Sequence, residues 1–165
     1  SGRPFDAEAE MIASPAFAGK KYAVLGLARS GLAAVEALAA SGAEVMAWDA
    51  RPEAREAVAG KARIADPLST ALIGYEAVVV SPGVPLNRHP IAERARSAGV
   101  PLIGDIELFS QARAALPPHK VVGVTGTNGK STVTSVCGAI AARTGRPSFC
   151  GGNLGTPLIE AVGIP

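Results

Sequence analysis

The sequence predicts an α/β fold, a parallel sheet with flanking helices, and three observations predict it. Short apolar runs that stop at glycine or turn residues alternate with helix-period stretches. That spacing calls for right-handed βαβ units and therefore a parallel sheet. Of the 165 residues 48% are hydrophobic and only 4% aromatic, a composition that packs small-residue helices closely onto a sheet. Two glycine-rich loops each follow an apolar run and open a helix, the position at which such folds bind phosphate groups.

Taken in order, residues 20–25 are a lysine-led apolar strand ending at Gly26. Residues 32–40 carry Leu32, Val35 and Leu38 on one helical face, and Gly42 supplies the C-cap. Residues 44–48 read as a second strand ending at Asp49, Pro52 opens a short helix to about residue 58, and residues 62–65 are a weak third strand. Residues 76–80 are a buried strand stopped by Ser81-Pro82-Gly83-Val84-Pro85. A helix over 90–98 closes at Gly99, and residues 100–103 form a fifth strand. Asp105 is placed to N-cap a helix over 106–115, with Glu107 in the first turn, where the helix dipole favours a carboxylate. Pro117-Pro118 then breaks the chain. A second unit begins at Lys120 with a buried strand, a glycine loop, a helix over 130–144 and an extended run over 148–150. The expected division is a leader over 1–18, a first domain over 19–116, and the beginning of another over 117–165.

Several function classes are excluded by composition. A net charge of +2 is too small and dispersed to mark a nucleic-acid-binding surface, and Arg88, Arg94 and Arg96 read as a solvated helix face. Cys137 and Cys150 lack a CxxC spacing or a nearby histidine pair, which argues against a disulfide scaffold or zinc site and for a reducing cytoplasm. No apolar run reaches the ~18 residues needed to span a bilayer. The acidic residues Asp6, Glu8 and Glu10 rule against a signal peptide.

The first loop, Gly26-Leu27-Ala28-Arg29-Ser30-Gly31, has the spacing of a dinucleotide fingerprint but carries Ala28 at its middle glycine. A Cβ there impedes close approach of a pyrophosphate. Asp49 falls where a ribose-binding carboxylate belongs, and Arg51 follows two residues later. From these residues alone the loop fits an NAD(P) site, a site for another nucleotide diphosphate, or a turn that binds nothing. Ser81-Pro82-Gly83 stands at the carboxyl end of a central strand, the edge at which open α/β sheets bind ligands.

The second loop, Thr125-Gly126-Thr127-Asn128-Gly129-Lys130-Ser131-Thr132, departs from the strict P-loop wording, because Val124 stands five residues before Gly129. It keeps the working parts: glycines that let amides approach phosphate, a lysine, and two hydroxyls at the start of a helix.

This wording resembles the TGTNGK[ST] loop of the Mur ligases, the ATP-dependent amino-acid ligases of peptidoglycan precursor synthesis. The first loop with Asp49-Ala50-Arg51, the Ser81-to-Val84 turn, the run Gly104-Asp105-Ile106-Glu107-Leu108-Phe109 and the run Gly151-Gly152-Asn153-Leu154-Gly155 extend the resemblance across residues 20–160. They favour the members that join D-glutamate to UDP-N-acetylmuramoyl-L-alanine. The resemblance implies a Rossmann-like domain that holds the UDP-sugar, followed by the start of a P-loop ATPase-like domain. Arg29 and Ser30 would line the diphosphate, Asp49 and Arg51 would hold the uracil end with Gly83 nearby, and Asn153 would touch the substrate. Gly126, Thr127, Asn128, Gly129, Lys130, Ser131 and Thr132 would bind ATP. Lys130 would act catalytically, and Ser131 or Thr132 would hold Mg²⁺.

The family's downstream Mg²⁺ carboxylate, modified lysine, histidine, adenine pocket and D-glutamate pocket have no counterpart in this sequence, so the 165 residues are expected to be inactive alone. Three other readings remain: an NAD(P)-binding oxidoreductase fragment, a regulatory nucleotide-binding module, and a sister ligase specific for another amino acid.

Overall fold

The computed structural model describes residues 12–152 and 156–160. Asn153, the expected substrate contact, lies outside them.

The first unit is the expected parallel sheet. Its elements are β1 (Lys21–Leu25), α1 (Arg29–Ala40), β2 (Glu44–Trp48), α2 (Pro52–Glu56), β3 (Arg63–Ile64), β4 (Ala77–Val80), α3 (Ile91–Ala98), β5 (Leu102–Ile103) and α4 (Asp105–Ala112). The strand order is β3-β2-β1-β4-β5, with all pairings parallel. β1 is central, with Leu25 level with Trp48 on one side and Val80 on the other. The chain builds outward from β1 to β3, then crosses back to β4, so the connections diverge between β1 and β4. This is a Rossmann-like α/β fold.

Alternate strand residues feed two cores. Tyr22, Val24, Val45, Ala47, Ala77 and Val79 face α1 and α4. Ala23, Leu25, Met46, Val78 and Val80 face the opposite layer, with Ile91 and Ala95 of α3. Alanine lets α1 sit close: Ala33, Ala34 and Ala37 are all buried. Ile12 and Phe17, in the segment read as a leader, are buried in the first core, where Phe17 meets Tyr22 edge-on at 5.8 Å.

Three local expectations are corrected. α1 starts at Arg29 rather than at residue 32, so the second half of the first glycine loop is itself the helix's first turn. Asp105 does not cap α4: Gly104 is the N-cap, and Asp105 is the first helical residue, accepting a hydrogen bond from Ile106 N–H at 3.0 Å. The strand expected from Lys120 does not form, and Val121 and Val122 are exposed. A strand needs a ladder partner, and among the described residues the sheet ends at β5.

Beyond the prolines, α5 (Lys130–Arg143) forms as expected but buries none of its residues. The chain then returns to the first unit through a single 3-10 turn, Leu158–Glu160, whose Ile159 is fully buried in the core beside α1 and α4. Glu160 sits in this turn with its side chain only 14% exposed.

Candidate functional site

The carboxyl ends of β1, β2 and β4 define one edge of the sheet, and the first glycine loop is fixed there from both sides. Gly26 N–H donates to Trp48 O at the end of β2, 2.8 Å away. From β4, the Ser81 hydroxyl donates to Gly26 O at 2.6 Å, and Ser81 N–H donates to Leu25 O at 3.0 Å. Gly26 has φ +85, in the left-handed region where a Cβ is strained. Gly31 is required for another reason: a Cβ there would lie 1.9 Å from Gly26 O. The loop therefore turns back onto the first turn of α1 at a separation only glycine permits.

Asp49 is the second clamp. One carboxylate oxygen accepts from Leu27 N–H at 2.7 Å, and the other accepts from Arg51 N–H at 2.9 Å and Arg51 Nε at 3.2 Å. Burial opposes ionisation, but the hydrogen bonds from the Arg51 side chain, Arg51 N–H and Leu27 N–H, together with the Arg51 charge, outweigh it and lower the pKa from 3.8 to about 2. Asp49 is thus a buried, ionised bridge between the end of β2 and the glycine loop.

The remaining expected residues surround this edge. Arg29 and Ser30 occupy the first turn of α1, whose N-terminal amides point toward the loop. Gly83 lies in the turn after β4 that Val84 N–H closes onto Ser81 O at 3.0 Å. It is exposed, and a Cβ added there would meet nothing within 4 Å. Arg51 is exposed beside Asp49.

Four further residues contribute to the site. Ser81, expected in a turn at the ligand-binding edge, instead holds the loop through its hydroxyl. Arg55 stacks 4.6 Å over the Trp48 ring and donates to Asp49 O at 2.8 Å, bracing the end of β2. Thr156 and Glu160 meet Arg29 from the far end of the chain. Spacing around the motifs gave no signal for any of them.

The second loop is built differently. Gly126 and Gly129 have φ +147 and +74, and Gly129 N-caps α5. Lys130 folds back over the loop, its Nζ donating to Gly126 O and to Thr127 O, the latter at 3.3 Å. Residues 125–133 are all exposed. Among the described residues Gly126, Thr127, Asn128, Gly129, Lys130, Ser131 and Thr132 are thus brought together by sequence proximity, with Lys130 tying the loop internally.

A family model described as the N-terminal domain of MurD-like Mur ligases matches residues 20–104. The chain belongs to the MurD-like Mur ligase family. It is 64% identical over 155 residues to the UDP-N-acetylmuramoylalanine–D-glutamate ligase of Novosphingobium aromaticivorans, covering 94% of this chain and 35% of that protein. The ligase of the same name from Sphingopyxis alaskensis is 64% identical over 156 residues, covering 94% and 36%. That of Zymomonas mobilis is 51% identical over 168 residues, covering 94% and 38%. This MurD-like chain therefore spans about a third of the length of these relatives. Arg29, Ser30, Asp49, Arg51 and Gly83 fall inside the span of the family model, and the second glycine loop lies beyond it.

Among the described residues there is no group of three or more His, Cys, Asp or Glu that would hold a metal. No helix among them is long and apolar enough to cross a membrane.

Proposed function

We propose that this chain carries the UDP-sugar site, and the phosphate loop of the ATP site, of a cytoplasmic ligase. That ligase joins D-glutamate to UDP-N-acetylmuramoyl-L-alanine through an acyl phosphate made at the expense of ATP. The observation that carries the reading is the first glycine loop, clamped by Asp49 and Ser81 at the point where the β1 and β4 connections diverge. Ligands of open α/β sheets bind at such points. The relatives, UDP-N-acetylmuramoylalanine–D-glutamate ligases by name, suggest the substrate class.

In this reading the amides at the start of α1, with Arg29 and the Ser30 hydroxyl, receive the diphosphate of the UDP-sugar. Arg51 lies beside the uracil end, and the ionised Asp49 holds the loop and faces the base. Gly83 leaves open space on the β4 side of the crevice, and Asn153 is a proposed substrate contact. Because a UDP-sugar need not follow the path of a dinucleotide, Ala28 is no obstacle.

At the second loop the amides of residues 126–130 and the Lys130 ammonium neutralise the triphosphate. Phosphoryl transfer needs that charge compensation and alignment more than covalent help. Lys130 now rests on loop carbonyls and would exchange them for phosphate oxygens. Ser131 and Thr132 offer two exposed hydroxyls beside it. Mg²⁺ needs few protein oxygens when phosphates supply the others, so this donor set fits one. When bound, the metal would further neutralise the phosphates.

The 165 residues alone should bind the UDP-sugar without turnover. Thermal unfolding against UDP-N-acetylmuramoyl-L-alanine, ATP–Mg²⁺ and NADH in parallel tests the reading. At ~100 times its dissociation constant, the UDP-sugar should raise the midpoint on the order of 10 °C. Stabilisation by NADH instead would overturn the UDP-sugar assignment of the first loop. Turnover of UDP-N-acetylmuramoyl-L-alanine, ATP and D-glutamate by this chain would overturn the predicted inactivity.

A further inference from the structure

Arg29 already has partners. Its Nη2 donates to Thr156 Oγ1 at 3.3 Å and lies 3.7 Å from a Glu160 carboxylate oxygen. The pair is asymmetric: the Arg29 side chain is 60% exposed, whereas that of Glu160 is 14% exposed. Glu160 is the only acidic residue after Thr132, and two features place it here. Ile159 is fully buried among α1 and α4, which fixes the backbone of residues 158–160. Upstream, Gly152 N–H donates to Thr156 O at 2.8 Å, and a Cβ on Gly151 would come within 2.3 Å of that oxygen. The segment is thus plugged into the first unit at one end and tied to Gly152 at the other, with its carboxylate against Arg29.

We propose that Glu160 is a positioning residue for the diphosphate site of the first glycine loop. Its carboxylate holds Arg29 while the site is empty and yields the guanidinium to the ligand's phosphates on binding. The inference rests on the UDP-sugar reading above. Carboxylate and phosphate present similar paired oxygens to a guanidinium, and Arg29 stands at the first residue of α1, beside the loop. An ion pair this long, with an exposed arginine, is weak, so a doubly charged diphosphate displaces it. The carboxylate stays anchored by Ile159 and repels the incoming phosphates, so Glu160 limits affinity as well as holding Arg29 ready.

The test is calorimetric titration of the 165-residue chain with UDP-N-acetylmuramoyl-L-alanine at low and high ionic strength. Glu160→Gln keeps shape and removes charge, and it should bind roughly two- to fivefold more tightly at low salt. That gain should shrink at high salt, where exposed charges are screened. Glu160→Asp should stay close to wild type. Arg29→Ala should bind more weakly, and adding Glu160→Gln to it should bring no gain. A purely structural role for Glu160 would lower the melting point without producing a salt-dependent gain. Unchanged or weaker binding by Glu160→Gln at low salt, or a gain that persists without Arg29, overturns the proposal. Absence of UDP-sugar binding by the wild-type chain is a different failure, which removes the site reading and this role with it.

Discussion

The two glycine loops share a sequence grammar but are held in different ways. In the first, Gly26 N–H and O and Leu27 N–H each have a partner on a neighbouring strand or just beyond one: Trp48, Ser81 and Asp49. In the second, residues 126–129 are exposed, Lys130 supplies the ties, and α5 buries nothing. Glycine thus permits a phosphate-binding turn in both places, but only the sheet around the first makes it rigid. Preorganisation belongs to the partners across the sheet, not to the loop's wording.

The sharpest way to break that comparison is to add one methyl group to each loop. Gly31→Ala drives a Cβ to 1.9 Å from Gly26 O, a backbone atom held by Ser81 and unable to retreat. It should cost about 3 kcal/mol or more, a large share of a typical domain's stability. Gly129→Ala places alanine at φ +74, a strain of about 1–2 kcal/mol. That strain falls on a loop outside the cooperative core, so the urea midpoint of the first unit should barely move. Equal shifts in the two midpoints would show that the second loop is as integrated as the first.

A smaller effect separates the clamps from the lysine. Asp49→Ala leaves the buried Leu27 N–H without its acceptor, at a cost of about 1–3 kcal/mol. It should also weaken thermal protection by the UDP-sugar. Lys130→Ala removes only contacts within an exposed loop and should leave both stability and that protection intact. If the two variants lose protection equally, the ligand assignments of the loops are wrong.

The same clamp sets a pH dependence that the second loop lacks. Asp49 has a folded pKa of about 2, below its ordinary 3.8. Its contribution is therefore fully present above pH ~4 and is lost as pH falls toward 2, to a total of about 2 kcal/mol. Urea midpoints between pH 2 and 5 should show this slope in wild type and lose it in Asp49→Asn. An unchanged slope in Asp49→Asn would mean that other carboxylates dominate acid unfolding.

The sequence made local features visible and left the long-range ones hidden. β2, over Glu44–Trp48, and β4, over Ala77–Val80, could be read directly, because burial on both faces of a parallel strand leaves a continuous apolar run. Both glycine loops and Asp49 were legible because turn chemistry and spacing are local. The role of Asp49 as a clamp was not, since its partner Leu27 stands 22 residues away. Nor were the Ser81 hydrogen bond across 55 residues or the Arg29 contact across 127. The expected strand after Lys120 failed for the complementary reason: an apolar run fixes a strand only when another strand pairs with it, and Val121 and Val122 have none among the described residues.

The smallest expected change in stability is also the most selective probe of the first loop's crevice. Gly31 and Gly26 are required by the fold itself, one by a close approach and the other by a positive φ. Gly83 has neither constraint: its φ is not in the left-handed region, and a Cβ would meet nothing within 4 Å. Gly83→Ala should therefore leave the urea midpoint within about 0.5 kcal/mol of wild type, or raise it slightly by restricting the unfolded chain. If the UDP-sugar fills the open space on that side, the added methyl group should nonetheless weaken its binding measurably in calorimetry. A stable variant with reduced affinity would separate ligand fit from loop rigidity, which no substitution at Gly26, Gly31 or Asp49 achieves. Unchanged affinity would move the ligand away from the β4 side and leave Arg29, Ser30 and Arg51 to carry the site.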